Sequence, residues 1–269
     1  MARTRVRTTR IASLLSLTTA LPLLAACGSG AAPAPEAAKG AGGKPVVVVT
    51  TTWEGAFAKA AGAEDVTVIV PQSVHHAPDY DPKPSDLAAV AKADFVLYAP
   101  FEPYTAKIKE AAGSKARLVE VNLDNDPAKA AAEVTRLGGL FGTKDAAARF
   151  KTRLDEEVAE LNGELRSAWP GGKSPAVVSQ VFTGWAAGLA GATTVGTYGP
   201  EPVTPAQLAE LSAKKPAFVL DNAHMSTGTV LPDAGAKQVS IVNYPGEDLD
   251  LLAVYRNAAA ELRKAMGTA

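Results

Sequence analysis

The sequence contains very little cysteine and histidine. Cys27 is the only cysteine among 269 residues, so no disulfide can form within the chain, and histidine occurs only three times. Neither a His-Glu-x-x-His pair nor a Gly-x-Ser-x-Gly elbow is present, which argues against a zinc hydrolase and a serine hydrolase. The formal net charge of −1 gives no reason to expect a nucleic-acid partner. These absences favour a binding protein over an enzyme.

The first 26 residues have the pattern of an export signal. Four arginines and no acidic residue precede residue 11, and a short apolar stretch then runs to Ala26. The stretch is too short and too rich in Ser and Thr for a permanent membrane span. It ends in Leu24-Ala25-Ala26-Cys27, which resembles the lipobox of bacterial lipoproteins. We therefore expect residues 1–26 to be removed and Cys27 to carry the lipid that anchors the protein on the extracytoplasmic face of the cell membrane.

The rest of the chain predicts an α/β protein. Cleavage would change the formal charge from −1 to −5 and leave residues 27–44 as a lipidated cysteine with a flexible linker rich in Gly, Ala and Pro. Strand-like and helical patterns alternate over 45–142 and again over 171–269, which predicts two small lobes with parallel sheets. Between them, apolar residues recur at helical spacing through residues 143–170. This segment predicts one long helix that joins the lobes.

All three histidines fall in loops that follow predicted strands. His75 and His76 come after the second strand, and His224 comes after the strand that ends at Leu220-Asp221. Carboxylates occupy similar places, at Asp79 and Glu120 as well as Asp221. Imidazole with carboxylate suits zinc and, with more oxygen ligands, manganese. The alternative is that these histidines are ordinary polar loop residues.

One stretch carries a family resemblance. Val70-Pro-Gln-Ser-Val-His-His-Ala-Pro-Asp-Tyr-Asp-Pro-Lys-Pro-Ser-Asp-Leu87, followed by a helix and Ala93-Asp-Phe-Val-Leu-Tyr98, resembles the zinc- and manganese-binding solute-binding lipoproteins of ABC transporters. Members of that family carry a His, then Tyr-acid-Pro, then Pro-Ser-Asp. The likeness extends more weakly through Asn122-Leu-Asp-Asn-Asp-Pro127 and Gly199-Pro-Glu-Pro-Val-Thr-Pro205.

The resemblance implies four metal ligands, but the chain departs from the family at most of these positions. The family's first His falls on Pro78, the second on Glu120, the third near Ser179-Gln180, and the fourth ligand, an Asp, near Asn243. We predict that neighbouring residues replace the missing ligands. The predicted metal set is His76, Glu120, His224 and Asp221, with a possible direct or supporting role for His75, Asp79, Gln180 and Asn243.

The resemblance also implies a function. A monomeric binding lipoprotein would capture a divalent metal ion, zinc in preference to manganese, between its lobes and deliver it to an ABC permease with its ATPase. A rigid linking helix would permit only small movements of the cleft. Because Gln180 and Asn243 stand where strong ligands are expected, a lipoprotein that binds a non-metal ligand or a metal chelate is the alternative.

Overall fold

Each half of the chain folds around a four-stranded parallel sheet. The computed structural model describes residues 44–74, 77–226 and 228–267, and they belong to one compact unit, Ala37–Ala269. Cys27, His75 and His76 lie outside the described residues, and so does the predicted signal peptide. Within the described part of the chain, no helix has both the length and the apolar character that a membrane span requires.

The N-terminal lobe contains strands in the order β2-β1-β3-β4. Its strands are β1 (Val46–Val49), β2 (Asp65–Val68), β3 (Phe95–Tyr98) and β4 (Arg117–Glu120), and its helices are α1 (Thr52–Ala60), α2 (Pro84–Val90), α3 (Thr105–Ala112) and α4 (Pro127–Phe141). The central strands β1 and β3 are continuous apolar runs because helices cover both faces of a parallel sheet. Edge strand β2 instead alternates between exposed and half-buried residues.

The C-terminal lobe repeats this plan with the order β6-β5-β7-β8. Its strands are β5 (Ala176–Gln180), β6 (Thr193–Tyr198), β7 (Phe218–Asn222) and β8 (Lys237–Ile241), and its helices are α6 (Gly184–Leu189), α7 (Pro205–Ala213) and α8 (Leu251–Gly267). Strand β6 is not expected from the sequence. It lies at the edge of the sheet, includes Gly196 and exposes most of its side chains, so it lacks the apolar run that marks a buried strand.

Helix α5, Lys144–Ser167, lies between the two lobes in the chain. At about 1.5 Å per residue, its 24 residues extend roughly 36 Å. Its apolar stripe is buried in a core that also contains Leu97 of β3 and Leu220 of β7, so one hydrophobic core continues through both lobes. The predicted fold class, two parallel-sheet lobes joined by one long helix, is confirmed.

Candidate functional site

A cleft opens where the first strands of the N-terminal lobe and the last strands of the C-terminal lobe end. The carboxyl ends of parallel strands are the usual place for a ligand site in α/β proteins. The cleft encloses about 450 Å³, including the space at its mouth. Two of its lining residues come from the C-terminal lobe and the others from the N-terminal lobe: His224, Tyr244, Thr51, Thr52, Val70, Pro71, Gln72, Val74 and Ala77.

His224 therefore lines the cleft, as the sequence analysis predicts for a ligand residue. Its backbone N–H donates to Asn222 Oδ1 at 3.0 Å, which fixes the start of the loop after β7. Its ring meets the Tyr244 ring edge to face, with the centroids 4.5 Å apart, and Tyr244 in turn packs against Trp53 at 4.7 Å. On the opposite wall, Val74 and Ala77 flank His75 and His76 in the sequence.

Below the cleft, hydrogen bonds join the two lobes directly. Asn125 accepts from Trp53 Nε1 at 3.0 Å and donates to the Asn243 carbonyl at 2.9 Å, and its own carbonyl accepts from the Tyr255 hydroxyl at 3.1 Å. Thr52 donates to the Pro245 carbonyl at 2.9 Å. The bonds to Asn243, Tyr255 and Pro245 connect the N-terminal lobe with the C-terminal lobe, and the bond from Trp53 fixes the Asn125 side chain within its own lobe.

The Asp221 carboxylate accepts hydrogen bonds from two side chains of its own lobe. Asp221 is 2% exposed, and its carboxylate accepts from the Tyr198 hydroxyl at 2.6 Å and from Gln238 Nε2 at 3.0 Å. Tyr198 belongs to the cluster that contains Val219, which lies two residues before Asp221 on the same face of β7. The structure thus turns this side chain toward the outer face of its sheet.

Gln180 and Asn243 are also buried. Gln180 Oε1 accepts from the Phe182 N–H at 2.7 Å, and its Nε2 has no hydrogen-bond partner. Asn243 Oδ1 accepts from Trp185 Nε1 at 2.9 Å, and its Nδ2 donates to the Phe182 carbonyl at 3.2 Å. Asn243 therefore connects the segment that follows β8 with the segment that follows β5.

The remaining predicted carboxylates lie on the surface. Glu120 is exposed at the end of edge strand β4, where its carbonyl accepts from Arg136 at 2.7 Å, and Asp79 is exposed in a single 3-10 turn. Among residues 44–74, 77–226 and 228–267, no three His, Cys, Asp or Glu side chains come close enough to hold a metal ion. His75 and His76 are not among these residues.

Two buried glutamates near the cleft were not among the sequence-predicted ligands. Glu54, in the first turn of α1, is 0% exposed, and Glu102, after β3, is 5% exposed. A detectable sequence signal for Glu54 was the capping box formed with Thr51, in which a Thr is followed three residues later by a Glu. Nothing in the local sequence marks either carboxyl group as buried.

Burial changes the acidity of both groups. It raises the pKa of Glu54 from 4.5 to about 7, partly offset by hydrogen bonds from Thr51. Burial and then the charge of Glu54 raise the pKa of Glu102 from 4.5 to about 8. Both carboxylates also raise the pKa of the Tyr244 phenol, for which burial is the larger cause. The pair is thus within electrostatic reach of a residue that lines the cleft.

Large apolar side chains are exposed next to the strand ends. Phe101 follows β3 and is 69% exposed. In the C-terminal lobe the adjacent strands β5, β7 and β8 are each followed by such a residue, namely Phe182, Met225 and Val242. Because the strands are parallel and adjacent, these three side chains lie along one edge of the sheet, which we call the apolar rim.

The architecture belongs to a recognised class. Solved structures described as a metal-transporting protein and a solute-binding protein share this fold of two parallel-sheet lobes joined by one long helix. Residues 47–136 match the family model described as "Zinc-uptake complex component A periplasmic", ZnuA. The match covers about a third of the chain and includes Val70 to Tyr98, the stretch that resembles the zinc and manganese solute-binding family, so it supports that resemblance.

Solved structures agree with this assignment of the fold. The laminin-binding protein Lmb of Streptococcus agalactiae, described as having adhesin and metal transporting activity, has a TM-score of 0.59 at 18% identity and is matched over 81% of this chain and 99% of its own. FpvC of Pseudomonas aeruginosa, solved with Ni²⁺, has a TM-score of 0.62 at 14% identity, and the match covers 84% of this chain and 97% of FpvC. Zn(II)-bound AdcA of Streptococcus pneumoniae has a TM-score of 0.57 at 18% identity, and the match covers 84% of this chain and 58% of AdcA. Among curated proteins, none matches the sequence.

Proposed function

We propose that this protein is the extracytoplasmic binding component of an ABC importer and captures a divalent transition metal ion in the cleft between its lobes. The observation that carries the proposal is the position of His224 on one wall of the cleft, opposite Val74 and Ala77, which flank His75 and His76 in the sequence. A metal ion would bridge the two walls, and the loaded protein would present it to the permease and its ATPase. The family match over residues 47–136 supports the same role.

His76 and His224 are the proposed nitrogen ligands, with His75 as the alternative to His76. Glu120 and Asp221 are the proposed carboxylate ligands, and each side chain would have to move to reach the metal ion. Asp221 would leave Tyr198 and Gln238, and Glu120 would reach inward from the surface of β4. Two imidazoles with few carboxylates favour zinc over manganese, because manganese prefers oxygen-rich sites. Water could complete the coordination.

Cys27 completes the proposal. A lipid on this residue, followed by the linker 28–44, would keep a monomeric binder close to the permease in the membrane. Mass spectrometry of the protein isolated from membranes would test it. We expect a diacylglyceryl group on Cys27 as the first residue, and an intact N-terminus at Met1 would contradict the anchor.

A metal chelate is the second candidate ligand. The apolar rim and Phe101 favour it, because exposed aromatic and aliphatic side chains can contact an organic chelator but do not coordinate a bare ion. Gln180 and Asn243, which stand where the family has stronger ligands, favour it as well. An organic chelator would supply the missing donor atoms and contact the rim.

Calorimetric titration of the purified lipoprotein with Zn²⁺ and Mn²⁺, each alone, separates these candidates. We expect tight 1:1 binding of Zn²⁺ and weaker binding of Mn²⁺. His224→Ala should abolish Zn²⁺ binding, and comparison of His75→Ala with His76→Ala should identify the ligand on the opposite wall. Glu210→Gln, on the exposed surface of α7, is the matched control. Absence of Zn²⁺ binding by the wild type would contradict the bare-ion proposal and leave the chelate.

A further inference from the structure

Glu54 and Glu102 form a buried pair that metal coordination does not require. Glu54 follows β1 and Glu102 follows β3, and these two strands are neighbours in the N-terminal sheet. The parallel arrangement therefore brings both carboxyl groups to the same edge of the sheet. That edge is also the floor of the cleft, because Thr51 and Thr52 line it.

The hydrogen bonds to this pair come from neutral groups. Glu54 Oε2 accepts from the Thr51 N–H at 3.0 Å and from the Thr51 hydroxyl, while its Oε1 has no hydrogen-bond partner. Glu102 accepts from the Ala99 N–H at 3.1 Å and from the Tyr104 hydroxyl at 3.2 Å. The Thr50 hydroxyl faces both carboxyl groups.

No positive charge compensates the pair within the described residues. The titratable groups that face it are the phenols of Tyr104 and Tyr244, and no Lys or Arg forms an ion pair with either glutamate. Two uncompensated buried carboxylates side by side are strongly unfavourable. A single proton on the pair removes one of the two charges, as in carboxylate dyads.

The pair is also connected to the cleft. Thr51 donates to Glu54 and lines the cleft, and Tyr244 lines the cleft within the field of both glutamates. A divalent cation beside His224 and Tyr244 would stabilise a second negative charge on the pair. The cation thus supplies the positive charge that the empty protein lacks.

We propose that Glu54 and Glu102 form a proton site that retains one proton while the cleft is empty and releases it to solvent when a divalent cation binds. This inference rests on the proposed function. It makes metal capture a cation-for-proton exchange, in which the O–H bond of one carboxyl group breaks and buffer accepts the proton. Metal affinity would then rise with pH through a group that does not touch the metal.

Calorimetry in two buffers of different ionisation enthalpy tests the exchange, since the difference in heat gives the number of protons released per Zn²⁺. The pH of the experiment should lie between the pKa of Glu54, about 7, and that of Glu102, about 8. Under this condition we expect Glu54→Gln and Glu102→Gln to release fewer protons than the wild type, by up to about one per Zn²⁺. Gln also serves at the third position of a capping box, so Glu54→Gln preserves the start of α1. Glu210→Gln should release as many protons as the wild type.

Infrared spectroscopy of the wild type gives a second readout that needs no variant. The carbonyl band of a protonated carboxyl group should be present without metal and disappear when Zn²⁺ is added. Zn²⁺ binding with equal proton release in all four proteins, or a carboxyl band that persists, would overturn the exchange and leave the proposed function intact. Failure of the wild type to bind Zn²⁺ would overturn both.

Discussion

At the scale of single residues, burial raises the pKa values of Glu54 and Glu102 into the neutral range. A carboxyl group whose pKa is higher in the folded than in the unfolded chain binds its proton more tightly when folded. Its contribution to stability is complete below the unfolded value of 4.5 and is lost as the pH rises through the folded values of about 7 and about 8. Glu54 and Glu102 should therefore make the protein less stable at mildly alkaline pH.

We predict that the free energy of unfolding of the metal-free protein falls between pH 5 and pH 8, through the range in which Glu54 and Glu102 ionise. Glu102→Gln should remove about half of this dependence, because one of the two groups no longer ionises. Urea unfolding at several pH values measures it, with Glu210→Gln as the control. An equal slope in Glu102→Gln and wild type would show that the pair does not govern the pH dependence.

A second residue-scale prediction concerns Asp221. Its carboxylate is 2% exposed and accepts a 2.6 Å hydrogen bond from Tyr198. Tyr198→Phe removes that donor and leaves a buried acceptor less satisfied, so we expect a loss of about 1–3 kcal/mol in unfolding free energy. If Asp221 instead turns to a metal ion, Zn²⁺ should restore most of the loss. Denaturant unfolding with and without Zn²⁺ distinguishes a structural from a ligand role.

At the scale of elements, the helices and strands that can be predicted from the sequence are those marked by hydrophobic periodicity or by turn residues. The long helix could be predicted because its apolar residues recur at helical spacing before Pro170, and the central strands could be predicted from their apolar runs. Strand β6 could not, because an exposed edge strand depends on pairing with β5 and has no apolar run of its own. The hydrogen-bond partners of Asp221 could not be predicted either, because Tyr198 and Gln238 are distant from it in the sequence.

Helix α5 should contribute to stability through its buried stripe. Leu154 is completely buried in the core that continues through both lobes. Leu154→Ala should lower the free energy of unfolding by about 2–5 kcal/mol through lost burial and the remaining cavity. Glu156→Ala, on the exposed side of the same helix, should have little effect. Similar losses in the two variants would contradict the buried position of Leu154.

At the scale of the whole molecule, the two lobes share one hydrophobic core and are joined by direct hydrogen bonds. The long helix, the shared core and the hydrogen bonds of Asn125 to Asn243 and Tyr255 all oppose wide opening. We expect small-angle X-ray scattering to give radii of gyration with and without Zn²⁺ that differ by less than about 1 Å. A larger contraction would indicate hinge closure.

We propose that the cleft holds a divalent metal ion between its two walls. Crystals grown with Zn²⁺, measured on both sides of the zinc absorption edge, would locate the ion. We predict one strong anomalous peak beside the His224 imidazole, with His76 or His75 as a second nitrogen ligand from the opposite wall. An empty cleft, or zinc bound only at surface carboxylates, would contradict it.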